Sequence, residues 1–108
     1  MGLTTFIQGG EYETASSEVM NSDIQTELSA TLVAKHLVYQ AVLGYGKVCD
    51  KRGRPSSPEQ AKKLLLVFTN AILEDMVTRG VKVDDQEAAK SETDKMAEQV
   101  LKDSDEFQ

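Results

Sequence analysis

The chain has 108 residues, 40% of them hydrophobic and 28% charged, with a net charge of −6, which suits one folded domain and excludes wholesale disorder. A single cysteine, Cys49, excludes an internal disulfide and a cysteine-based zinc site within one chain. Six aromatic residues and no tryptophan thin the case for a platform that stacks single-stranded bases.

Residues 1–15 carry no helical period. The pair Gly9-Gly10 accepts the positive φ angles of a tight turn, so this segment is expected to be a flexible arm or a short hairpin. Met1-Gly2 opens the chain as a myristoylation signal does, but Phe6 stands where that signal wants Ser or Thr. Ser22-Asp23-Ile24-Gln25 has the form of a capping box, and the stripe Ile24, Leu28, Leu32 follows it. A first helix over roughly 17–45 is expected from that period. It widens through Leu32–Ala34 and Leu37–Tyr39 to Ala41–Leu43, so it is apolar on nearly every side. Such a helix either runs through the middle of the fold or is shared with another subunit. Gly44-Tyr45-Gly46 is expected to end it.

Residues 47–57 form a polar connector. The next helix, over roughly 58–79, has the clearest start in the chain: Ser57 caps it, Pro58 occupies its first position, and Gln60 completes a box. Ala61, Leu64, Leu65, Phe68, Ile72 and Met76 mark its buried stripe, and Gly80-Val81 reads as a left-handed stop. Asp84-Asp85-Gln86-Glu87 can open a third, weaker helix, or Ser91 or Thr93 can cap a shorter one, and an acidic tail over 103–108 follows.

Charge is unevenly placed. Between positions 47 and 63 the six cations Lys47, Lys51, Arg52, Arg54, Lys62 and Lys63 face only Asp50 and Glu59, a local balance of +4 that leaves −10 for the rest. Cations feeding a helix N-terminus suit an anion, which makes these six the candidate contact for nucleic acid or an acidic partner. A solvated loop that offsets acidic neighbours is the plainer explanation. Lys51-Arg52-Gly53-Arg54-Pro55 resembles the core of an AT-hook, which implies contact with the minor groove of A·T-rich DNA. Gly53-Arg54-Pro55 ahead of a helix also looks like the entry to the DNA-binding domains of some resolvases and repressors, which then need a tight turn and a recognition helix, whereas Val83–Glu87 brings acids that would face phosphate.

His36, the only histidine, lies in an apolar stretch and is expected to pack rather than catalyse. Glu74-Asp75 point to different helix faces, no acidic cluster matches an EF-hand, and Gly44-Tyr45-Gly46 is no phosphate loop. No catalytic residue, metal or cofactor is therefore expected. No apolar run approaches the roughly 18 residues of a membrane span, and a cytoplasmic protein is expected.

The expected fold is all-α: two long antiparallel helices with a weaker third, residues 1–108 making one domain. So few helices would leave apolar surface uncovered, which favours a homo-oligomer or a place in a larger assembly. The expected role is a small acidic interaction or assembly protein, of the kind found among phage accessory and virion components. A DNA-binding accessory protein using the basic connector is the alternative.

Overall fold

A computed structural model describes residues 2–23 and 25–107. The fold is a small all-α bundle, as expected, but built from five helices rather than three. In chain order these are α1 (Leu3–Ile7), α2 (Glu11–Asn21), α3 (Ala30–Arg52), α4 (Pro58–Thr78) and α5 (Gln86–Asp103). Two short strands, β1 (Glu27–Leu28) and β2 (Lys82–Val83), pair in parallel and tie the loop before α3 to the loop before α5.

The N-terminal segment is neither arm nor hairpin. Gly9, at φ 74°, makes the turn between α1 and α2, so the glycine pair serves a helix–helix corner. A five-residue helix has no stability of its own. Packing holds α1 instead: Leu3 and Ile7 are fully buried in a cluster with Val38, Val42, Tyr45 and Val100.

The first long helix also begins later than its period suggests. Ser22 closes α2, with its hydroxyl donating to the Val19 carbonyl at 2.7 Å, and does not open α3. Asp23 Oδ1 then accepts the Gln25 N–H, a local turn that competes with helix and separates the two elements. Ile24, assigned to the apolar stripe, lies outside the described residues. The cap of α3 is Ser29, whose hydroxyl accepts the Leu32 N–H at 3.2 Å.

Nor do the glycines at 44 and 46 end that helix, which continues to Arg52. They are there for close approach. A Cβ on Gly46 would sit 2.5 Å from Thr4 Cγ2 on α1, and one on Gly44 would sit 3.1 Å from the Phe68 ring on α4. The connector thus shrinks to residues 53–57, and Lys47, Lys51 and Arg52 belong to helix.

The start of α4 follows the sequence closely. Ser57 accepts the Gln60 N–H and Pro58 is the first residue, although the Gln60 side chain reaches back to Ser56 rather than Ser57. Its stop is the expected one, with Gly80 at φ 92° and the Val81 N–H bonded to the Met76 carbonyl. Asp85 caps α5 through the Ala88 N–H.

The other four helices all pack on α3, which is why it is apolar on nearly every side. Of the two situations its sequence allows, the central one holds. Two clusters share its length. One joins Leu37 and Val33 to Leu73, Met76 and Ala89; the other joins Val38, Val42 and Tyr45 to Leu65, Val100 and α1. Because α1 and α2 supply cover that the three-helix expectation lacked, the anticipated apolar surplus is absent. Among the described residues the large hydrophobics left exposed are Met20, Val67 and Val77.

Candidate functional site

The most developed recess lies where the C-terminal end of α2 and the loop after it meet α3 and α4. It is an open cleft of about 520 Å³. Val19, Met20, Ile72, Met76 and Val81 supply apolar wall; His36, Gln40, Ser22, Asp23 and Arg79 supply the polar groups. A groove of about 610 Å³ between α4 and α5 is larger, but its polar lining is solvated surface with no buried polar group facing it.

His36 forms part of the cleft wall and is only 7% exposed. Its Nδ1 lies 2.9 Å from Ser16 Oγ, and that same oxygen accepts a hydrogen bond from Gln40 Nε2 at 3.1 Å. Ser16 Oγ thus joins His36 and Gln40, and in the tautomer that carries the ring proton on Nε2 the hydroxyl donates to Nδ1. Ser16 itself is 2% exposed, and its contact with Nδ1 orients the ring. Burial, and secondarily the Arg79 guanidinium, lower the pKa of His36 below its ordinary value and keep it neutral near pH 7. Arg79 stands at the end of α4 and pairs with Asp75 through Nη2 at 2.9 Å.

The six candidate cations do not form one site. Lys47, Lys51 and Arg52 lie on the last turns of α3, where positive charge complements the carbonyl end of the helix. Arg54 is turned inward: its Nε lies 3.4 Å from Glu106 Oε2, and its Nη1 donates to the Glu106 carbonyl. Lys62 pairs with Asp94 at 2.7 Å and Glu98 at 3.9 Å, and those carboxylates raise its pKa. Lys47, Lys51, Arg52 and Lys63 remain without an ion pair among the described residues. With Lys51 and Arg52 helical and Arg54 engaged, the segment lacks the extended form that an AT-hook places in a groove.

The acidic tail is likewise not a solvated appendage. Glu106 is 6% exposed, and its carboxylate accepts from the Leu3 N–H at 2.8 Å and the Tyr45 hydroxyl at 2.9 Å. Burial, then the bond to Glu106, push the Tyr45 phenol well above its ordinary pKa. Cys49 packs half-buried against the same cluster.

The sequence model of the virulence factor CipC-like family matches residues 15–104. The chain belongs to that family. No curated protein and no solved structure matches it significantly. The CipC-like match takes in every residue that lines the cleft, and stops short of α1 and Glu106. Among the described residues no three His, Cys, Asp or Glu side chains converge to hold a metal, and no helix is long and apolar enough to cross a membrane.

Sequence reasoning missed the cleft because three separated segments build it. One signal was available: Gln40 stands four residues after His36, and so on the same helix face as the only histidine of the chain.

Proposed function

We propose that this CipC-like chain is a non-catalytic interaction protein that docks an apolar segment of a protein partner in the α2–α3–α4 cleft. One observation carries the reading. The cleft joins an apolar wall to a buried, oriented imidazole, and Met20 at its edge is 70% exposed. Methionine fills irregular gaps and suits surfaces that receive another protein's side chains. The open form argues in the same direction, since small-molecule sites bury most of their ligand's surface. The family's description as virulence factor CipC-like names no partner and agrees with a role exercised through another protein. A role as an assembly component remains within this proposal, with a second copy of the chain as one candidate partner. A DNA-contact role would rest on Lys47, Lys51, Arg52 and Lys63, since Arg54 and Lys62 are engaged within the fold.

The test begins with co-purification from the native source, followed by reconstitution of the purified pair. Met20→Glu changes an exposed side chain and leaves the core intact, so it should weaken the pair about tenfold or more, as loss of an apolar anchor does. A double change of Lys51 and Arg52 to Gln should leave affinity unchanged. The reverse pattern would move the function to the basic end. Sedimentation equilibrium of wild type and Met20→Glu identifies self-association through the same cleft.

A further inference from the structure

Resting on that reading of the cleft, we propose that the segment it receives carries a carboxylate beside its apolar side chain, held jointly by His36 Nε2–H and Arg79. Among the described residues no buried side-chain nitrogen or oxygen is left without a partner, and His36 bonds only through Nδ1. Nε2 must therefore open into the cleft. In the tautomer that Ser16 completes by donating to Nδ1, Nε2–H is a donor beside the apolar half of the cleft. Such a donor favours a ligand that brings an acceptor.

Arg79 makes that acceptor anionic. Its ion pair with Asp75 uses Nη2, and the two side chains are 65% and 62% exposed, so the pair is weak and readily rearranged. Its remaining N–H groups can form the paired bonds that guanidinium makes with carboxylate. Asp23 is the one acid in the lining, and its Oδ1 accepts the Gln25 N–H of its own loop. A neutral amide would satisfy Nε2–H but leave the guanidinium unmatched, and an ammonium would meet two donors. Val19, Ile72, Met76 and Val81 then form the wall for an adjoining aliphatic side chain.

The experiment titrates the full chain with acetyl-Ala-Leu-Leu bearing a free C-terminal carboxylate, and in parallel with the same peptide as its C-terminal amide. His36 is the only histidine, so its imidazole nitrogen and carbon resonances report on the site without assignment ambiguity. The acid should bind about tenfold more tightly than the amide, as charge-assisted bonds to carboxylate imply. Arg79→Gln should remove that preference and leave amide binding unchanged. Equal binding of acid and amide would overturn the inference, as would no shift with either peptide. If both bind equally and Met20→Glu weakens both, the cleft remains a docking site and only the carboxylate preference fails.

Discussion

Replacing Glu106 by alanine should be among the most damaging single changes in the chain, although it lies two residues before the last position. The carboxylate is the acceptor for a buried backbone N–H at Leu3 and a buried phenol at Tyr45, and Arg54 approaches it at 3.4 Å. Alanine leaves the first two donors without a partner, at about 1–3 kcal/mol each. The Arg54 side chain is 54% exposed, so solvent screening reduces its contribution to less than about 1 kcal/mol. The total of about 2–7 kcal/mol spans the 3–5 kcal/mol cost of breaking a buried charged pair, and is a large share of the 5–15 kcal/mol typical of a whole domain. Glu106→Gln retains one acceptor oxygen for the Leu3 N–H, loses the charge and sets an NH2 against the Tyr45 hydroxyl, which can turn to accept from it, so about 1–2 kcal/mol is expected. Urea unfolding followed by helical circular dichroism measures both; with slopes near 1–2 kcal/mol per molar, a loss of about 3–5 kcal/mol lowers the alanine midpoint by roughly 1.5–5 M. Hydrogen exchange adds a local readout, because the Leu3 amide should lose its protection in Glu106→Ala. An alanine variant within about 0.5 kcal/mol of wild type, or a glutamine variant no better than alanine, would show that the tail does not hold α1 in place.

Leu37→Ala, at a fully buried position on α3, should cost about 2–5 kcal/mol, whereas Glu98→Ala, whose contact with Lys62 is exposed, should stay within about 0.5 kcal/mol in the same urea assay. Gly46→Ala should cost about 1–3 kcal/mol because its methyl meets Thr4, and Thr4→Gly in the same chain should recover most of that loss. The pKa of His36 is lowered on folding, so the unfolded chain binds its proton first as pH falls: stability is full above about pH 6.5 and declines below it, and His36→Gln should flatten the urea midpoint between about pH 5 and 6.5. Duplex DNA, titrated at two salt concentrations, should not be retained; salt-dependent binding with a log–log slope near −3 would return the function to the basic end.

Where a single local interaction decides an element, the sequence was sufficient. Ser57-Pro58, Gly80-Val81 and Asp85 each fix a helix boundary through side-chain caps or a left-handed turn, and all three operate as read. Two other local motifs misled because the same residue type serves two ends. Ser22 closes a helix through the Val19 carbonyl where a capping box had it opening one. Gly44 and Gly46 sit inside α3 because Phe68 and Thr4 need the space, and those contacts come from residues far along the chain. For α1 the reason is energetic: five residues cannot hold a helix alone, and the burial of Leu3 and Ile7 exists only once α3 and α5 have formed.

The candidate site was less legible than the fold, and for a related reason. Charge density drew attention to positions 47–63, yet charge in a sequence carries no information about which acids stand opposite in space. Glu106 is 52 residues from Arg54, and Asp94 and Glu98 lie a helix away from Lys62. Once those partners are in place, the apparent basic site loses two of its six cations. His36 shows the converse. A lone histidine among apolar residues reads as packing, and packing is indeed half of its role. The other half comes from Ser16, which orients the ring, and from Ile72, Met76 and Arg79, which stand beside it only because α4 runs back along α3. Burial therefore does not by itself argue against the proposed docking role at this position, because Nε2 still faces the cleft.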